Sequence, residues 1–449
     1  MRLSSAQLAP LRLPAFRNLF LATLGSSLGT LLAAVALAID VKDRTSSSPH
    51  SGLWVAAVLV VDFLPTIAVG LLLGPLLDRL ERRSLMIAAD ALRVGVFVAL
   101  PFATNPATVV GLALVAGLAT GFFRPAVYAG VPNLVSDDQL PNANSLLQTV
   151  ENASWALGPL IGGVLTGIAG PSAAYGINAA SFVVSIMLIV RIPPRLLQSE
   201  RALSRGHWGD LRDGFSAALT SPSMRAVLVG WGIASVAAGA ATLAEIYLAK
   251  DTFSAGDFGY GLLLGSIGGG LVLGSFLSPR AFARYGVARV YGASLTVMGV
   301  GYIATAASPD VWVGAGCCVV AGIGNGAAIS SNALLVQRGT FDLLRGRALT
   351  FVMSATFALA GVGNLVGGLF VQRISPRWIW GIAGCGLFVA ALAGSLLARS
   401  RGDESASEAE VAAVDPAADE DPSPWPGEDE LNRLKSAMAG GFRAESTES

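Results

Sequence analysis

The sequence predicts an all-α integral membrane protein, with twelve transmembrane helices in two pseudo-symmetric six-helix bundles, and three observations carry that prediction. The chain has 449 residues, of which 53% are hydrophobic and only 13% charged. With a mean hydropathy of +0.61, it holds more apolar surface than a water-soluble domain can bury, so lipid is its solvent. Apolar runs of about 20 residues, enough to span a hydrocarbon core ~30 Å thick, recur along the chain between Gly, Pro and charged residues. Two stretches then recur in the same order, about 200 residues apart: GPLLDRLERR from Gly74 with GSFLSPRAFAR from Gly274, and GPLIGG from Gly158 with GNLVGG from Gly363.

Taken in order, the apolar runs place spans at 17–40, 53–76, 84–103, 107–130, 143–168 and 172–191, then at 224–248, 258–279, 288–307, 311–335, 347–372 and 377–398. This divides the chain into an N-terminal segment (1–15), a first six-helix bundle (16–191), a polar linker (192–223), a second bundle (224–398) and a tail (399–449). The first run, Leu19 to Val41, contains small-residue triplets of the kind found at signal-peptidase sites. It is longer than the ~7 to 15 residues of a signal core, and eleven further spans follow it, so it reads as a membrane helix. Basic residues set the orientation: with the N-terminus inside, twenty arginines fall in inner segments, against Lys42, Arg44, Lys250, Arg373 and Arg377 outside. Cytoplasmic loops accumulate Lys and Arg, which predicts a multi-pass protein of the cell (inner) membrane with both termini cytoplasmic.

The zero net charge conceals two opposite parts. Residues 402–449 hold thirteen Asp or Glu against three Lys or Arg, leaving the rest about +10. This acidic tail, with Pro416, Pro422, Pro424 and Pro426, reads as largely disordered. Leu431, Leu434 and Met438 after Trp425 have the spacing of a short amphipathic helix that could dock on a protein partner or on the basic loops; a plain solvated tail accounts for them too.

Several classes of chemistry find no residues. His50 and His207 fall in predicted loops, and Cys317, Cys318 and Cys385 lie inside apolar runs without ligand spacing, so no metal or other cofactor is implied. A G-x-x-x-x-G-K-[ST] loop is absent, which removes nucleotide hydrolysis. Intramembrane catalysis would need clustered His, carboxylate or nucleophile, so the chain is not expected to be an enzyme. Nothing suggests nucleic acid; the expected partners are the bilayer, a small-molecule substrate and protons.

Ionisable groups inside spans cost ~2.5–3.5 kcal/mol or more at the helix centre, so each needs a partner or a task. Asp62 in span 2 has no basic neighbour on its own helix and is the first candidate for a proton site; hydrogen bonding to hydroxyls such as Thr66 is the structural alternative. Glu151 and Arg124 lie at comparable depth on consecutive spans, where a separable pair would couple substrate and proton, and a permanent ion pair would account for the same residues. Asp90 and Arg93, three apart on one helical face, read as a structural charge pair. Asp40 and Glu245 lie towards the outer ends. The weight of charge in the first six spans places proton coupling there.

Gly158, Pro159, Gly162 and Gly163 allow span 5 to pack closely and bend, whatever the function. Asn325, Asn332 and Asn364 read as interhelical glue or cavity lining. Trp155 and Trp231 read as packing or interfacial residues, with an apolar substrate contact as the alternative.

The loop GPLLDRLERR resembles the major facilitator superfamily signature G-x-L-x-D-R-x-G-R-R, with Gly74, Asp78, Arg79, Arg82 and Arg83 in place and Glu81 where the family has glycine. The resemblance implies the major facilitator fold, with a substrate site between the halves near the midplane. It also implies that the loop latches the halves on the cytoplasmic side, besides anchoring to lipid headgroups. The run Gly158-Pro159-Leu160-Ile161-Gly162-Gly163 is similar to the G-P-x-x-G-G core of drug:proton antiporters, with Ser145 and Ser154 at that signature's earlier glycines.

FRNLFLATLGSSLG from Phe16, IAADALRV from Ile87, FFRPAVYAGVPNLVSDDQLPNANSL from Phe122, GYGLLLGS from Gly259 and LRGRALT from Leu344 resemble the macrolide and enterobactin efflux branch. Thr30 follows Gly29 where that branch often has an acid, so no role of that acid carries over. The resemblance implies a secondary transporter exporting a lipophilic drug, antibiotic or siderophore-like molecule in exchange for protons. A proton-coupled uptake symporter, or a transport-inactive scaffold or sensor using the tail, are the alternatives.

Overall fold

The computed structural model describes residues 8–72, 80–197, 222–338 and 345–399, of which some helical side chains, Asp62 among them, are not described. Among these residues there are twelve α-helices and no strand: α1 (Pro14–Arg44), α2 (Ser51–Leu72), α3 (Arg82–Ala99), α4 (Pro106–Gly130), α5 (Leu140–Ala169), α6 (Pro171–Val190), α7 (Pro222–Tyr247), α8 (Gly256–Tyr285), α9 (Val287–Ala307), α10 (Val311–Arg338), α11 (Arg345–Phe370) and α12 (Pro376–Arg399). Ten helices are long and apolar enough to cross a membrane. The other two are α2, apolar over Ser51–Val61 among the described residues, and α5. The first half of α5 is diluted by Asn142, Asn144, Gln148, Glu151 and Asn152. The tail from Ser400 is a separate unit and lies outside the described residues, as does its suggested short helix.

The helix starts follow from backbone chemistry. Five helices begin at proline (Pro14, Pro106, Pro171, Pro222 and Pro376), whose missing N–H is one the first turn could not satisfy anyway. Asn105 caps α4 by accepting from the Thr108 N–H at 2.8 Å. Gly170 alone separates α5 from α6 at φ 77, a left-handed backbone that a side chain would strain.

The helices run past several predicted ends. The span expected to stop at 279 continues through Pro279 to Tyr285. Near a membrane surface the freed carbonyl is easily re-satisfied, and Arg280 and Arg284 gain a polar exit.

Packing repeats between the two sets of six. In the first, α1 packs on α5 and α6, α2 on α4, and α3 on α4 and α6; in the second, α7 packs on α11 and α12, α8 on α10, and α9 on α10 and α12. Two contacts of the same kind join the sets, α5 with α8 and α11 with α2. The described loops therefore gather at two ends of the bundle. One holds Lys42 and Lys250 and is called here the lysine end; the other holds Arg82, Arg83, Arg191, Arg195, Arg280, Arg284 and Arg289 and is the arginine end.

Candidate functional site

The last turn of α1 reads Lys42-Asp43, and the π-helical turn Leu248–Thr252 that follows α7 reads Lys250-Asp251. The two dipeptides meet across the halves and exchange partners. Lys42 Nζ pairs with Asp251 at 2.7 Å, and Lys250 Nζ with Asp43 and Asp257, both at 2.7 Å. The aspartates 43 and 251 are half-exposed, while the Lys42 side chain is only 9% exposed and lies 4.9 Å from the Tyr247 ring centroid. Below them the Ser51 hydroxyl bonds the Tyr247 hydroxyl at 2.9 Å, and beside them Gln372 donates to the Ser48 carbonyl at 2.9 Å. Helix ends some 200 residues apart are thus clamped by contacts that are polar, partly exposed and individually weak.

Glycines extend the closure inward. The first two glycines of GPLIGG face α1: a Cβ on Gly158 would stand 2.7 Å from the Leu31 Cβ, and one on Gly162 2.5 Å from the Leu32 carbonyl oxygen. The last, Gly163, crosses to α8, where a Cβ would stand 2.6 Å from the Gly261 Cα. GNLVGG repeats the arrangement: Gly363 and Gly367 abut α7 at Val236 and Ala240, while Gly368 crosses to α2, a Cβ there lying 2.6 Å from the Gly52 carbonyl oxygen. Each motif thus serves one seam within its half and one between halves. The polar and glycine contacts that cross between halves run from the lysine end to the level of Trp155 and Gly268, whose backbones meet near mid-helix.

Nearer the arginine end of the first half, Arg124 on α4 pairs with Glu151 on α5 at 2.7 Å, and the Tyr128 hydroxyl donates to the same carboxylate oxygen at 3.0 Å. The Arg124 side chain is half-exposed and Glu151 is 15% exposed. The pair therefore joins one exposed member, Arg124, to one largely buried member, Glu151.

Asp90 and Arg93 are different: they pair with each other in the interior of the first half. The Arg93 guanidinium lies 4.5 Å and 4.3 Å from the ring centroids of Phe123 and Phe182. This knot fixes α3 against α4 and α6.

Arg82 donates to the Ala129 and Leu197 carbonyls at 2.9 and 3.1 Å, and Arg83 to the Ile189 and Val190 carbonyls. The two guanidiniums thus bind carbonyls near the ends of α4 and α6, groups that a helix terminus leaves unpaired. Gly74, Asp78 and Arg79, which the expected latch would need, lie outside the described residues. So does the side chain of Asp62, which belongs to α2.

Asp40, left without a partner by the sequence, is held by Arg44 at 2.7 Å and by the Tyr175 hydroxyl at 3.0 Å. Asn364 donates to Ala360 on its own helix at 3.1 Å. Trp231 packs against the core of the bundle, and Trp155 is 41% exposed.

Two features escaped the sequence reading. One is the lysine clamp, whose signal was present: the chain has three lysines, and the two outside the tail are each followed by aspartate at corresponding helix ends. The other is Glu245, expected near the outer rim, which is 1% exposed with its Oε1 unpartnered among the described residues.

Known proteins agree with this architecture. The model of the transmembrane secretion effector family matches residues 5–423. An uncharacterized MFS-type transporter, YkuC of Bacillus subtilis, is 26% identical over 279 residues, covering 57% of this chain and 64% of its own length. The enterobactin exporter EntS of Shigella boydii is 27% identical over 276 residues, covering 60% and 64%. The chain thus spans 64% of the length of these relatives. In fold it is similar to a bacterial homologue of the iron transporter ferroportin in an inward-facing state, with TM-score 0.69, 16% identity, and coverage of 86% of this chain and 98% of that one. The nucleoside transporter NupG matches with TM-score 0.64 and 16% identity over 85% and 98% of the two chains. The chain belongs to the transmembrane secretion effector family of major facilitator proteins.

Proposed function

We propose that this protein exports a lipophilic small molecule of the drug, antibiotic or siderophore kind across the cytoplasmic membrane by alternating access, in exchange for protons. The observation that carries the reading is the lysine-end closure: reciprocal Lys–Asp pairs above two glycine seams, all made between halves whose internal packing repeats. Contacts of this strength break as a set when the halves rock, and nothing within either half has to unfold.

The arginine end is cytoplasmic, by the bias of basic residues towards that side, and so are both termini; all twelve helices, α2 and α5 included, cross the bilayer. On this reading, closure at the lysine end leaves a site between the halves that loads cargo from the cytoplasm. The EntS relative supports an amphipathic siderophore-like cargo. Glu151, released from Arg124, and Asp62 are the groups of the first half that would exchange protons with it. No cofactor takes part, no covalent chemistry is performed on the cargo, and the acidic tail is free to engage a protein partner.

Membrane vesicles of opposite orientation test direction. Respiring inverted vesicles, whose lumen turns acidic, should accumulate enterobactin, a macrolide or a lipophilic dye, and respiring right-side-out vesicles, whose lumen turns alkaline, should not. Accumulation confined to right-side-out vesicles would replace export by uptake symport.

A further inference from the structure

Glu245 lies on α7 five residues before Lys250, so roughly 7 Å along the helix beneath the clamp. Its side chain is sealed from solvent, its Oε1 has no hydrogen-bond partner, and no Lys, Arg or His among the described residues pairs with it. Its surroundings come from several helices. Tyr260 of α8, Tyr302 of α9 and Cys318 of α10 lie within electrostatic reach, and each is buried. The Tyr302 ring lies 4.8 Å from that of Trp380 of α12, tilted by 45°, and the Trp380 Nε1 is also unpartnered. Among the described residues, α2, α11 and α12 bring no charged group to it; the nearest charges along the chain are Lys250 and Asp251 in the clamp itself, and Tyr247 is engaged by Ser51.

A carboxylate ion cannot be stably held in such a place without a cation, whereas a neutral acid can. The π-helical turn that carries Lys250 and Asp251 is the direct continuation of α7. Such turns depart from regular helix geometry and often mark functional positions. Movement of the clamp is therefore movement of the roof over Glu245.

We infer that Glu245 is a second proton site, carrying a proton while the lysine-end clamp is shut and exchanging it with the outside when the clamp opens. Its role in transport rests on the proton-exchange reading above, but its occupancy does not. The site adds to the second half a proton carrier that the charges of the first half do not supply. It also lies nearer the lysine end, whereas the Arg124–Glu151 pair lies nearer the arginine end.

Infrared spectroscopy of the full chain in phosphatidylethanolamine–phosphatidylglycerol vesicles reads this site without any substrate, through the C=O stretch of a protonated carboxylic acid. At neutral pH the wild type should show a deuterium-sensitive acid band. That band should vanish in Glu245→Gln, persist at a shifted frequency in Glu245→Asp, and vanish when Lys42→Met and Lys250→Met together unlock the clamp. Absence of the band in the wild type, or a band untouched by both Glu245 variants, overturns the inference, and so does a band that survives unlocking. Should Glu245→Gln fail to fold, the shift in Glu245→Asp carries the assignment alone. If enterobactin flux in the wild type ignores a pH gradient, proton exchange as the driving force falls while the band still decides Glu245. If gradient-driven flux is present and undiminished in Glu245→Gln, the inference falls and proton exchange stands.

Discussion

Removing the lysines of the clamp should open the lysine end, and the structure sets the size of the effect. Lys42→Met removes an ion pair with a half-exposed aspartate and a cation–ring contact with Tyr247. Exposed pairs contribute about 0.2–1 kcal/mol and ring contacts about 0.5–1 kcal/mol. Together they amount to roughly 1–2 kcal/mol, or a 5- to 30-fold shift in the ratio of closed to open states. Lys250 makes two pairs, one with the largely buried Asp257. Of these only the Asp43 pair crosses between the halves, so the double variant should shift the ratio by about 1–3 kcal/mol, or roughly 5- to 150-fold.

Spin labels at Ser47→Cys and Ser375→Cys, both exposed at this end, would report the change as a distance distribution in protein whose native cysteines are alanine. The expected result is a short distance in the parent, a longer one in the double variant, and partial restoration when Lys42→Asp is combined with Asp251→Lys. A distribution unmoved by removing both lysines would refute the assignment of the clamp as a gate.

Other substitutions should separate seams, gate and scaffold. Gly163→Val places a side chain where even a Cβ would meet Gly261 at 2.6 Å and the Asp257 carbonyl at 2.8 Å; it should favour the open lysine end in the same label measurement, and Gly368→Val should do so from the other seam. Arg124→Leu should abolish pH-driven flux in vesicles while leaving a folded protein, because the arginine it removes is half-exposed; a large fall in melting temperature with flux preserved would make the pair structural. Asp90→Asn alone should destabilise by about 3–5 kcal/mol by stranding Arg93, and Asp90→Asn with Arg93→Met should recover much of that loss in thermal denaturation; equal damage from the single and double variants would contradict a closed charge knot.

The helices were legible because a lipid solvent demands long apolar runs, and their ends because proline and glycine punctuate them. Charges at short sequence separation were legible too: three residues apart on one helix, Asp90 and Arg93 can only share a face. Arg124 and Glu151 could be matched by depth on neighbouring helices. The lysine clamp could not, since pairing residues 42 and 251 requires the packing of two halves and the choice of one conformational state. Its Lys-Asp repeat falls at an offset slightly different from that of GPLIGG and GNLVGG. Burial of Glu245 was hidden for a related reason. Position along an apolar run gives depth in the bilayer, but enclosure depends on side chains from α8, α9 and α10. The arginines at 82 and 83 read as lipid anchors, and their binding to the ends of α4 and α6 needed the loops to be folded.

The central claim is exchange of an exported molecule for protons through a site exposed to one side at a time. Purified protein in vesicles carrying a pH-sensitive dye in the lumen, loaded with enterobactin on one side only and given no other ion gradient, tests it most directly. Enterobactin moving down its own gradient should drive protons the opposite way, with the proton flux lost in Arg124→Leu. Enterobactin flux with a still lumenal pH, or with protons moving in the same direction, would contradict the account.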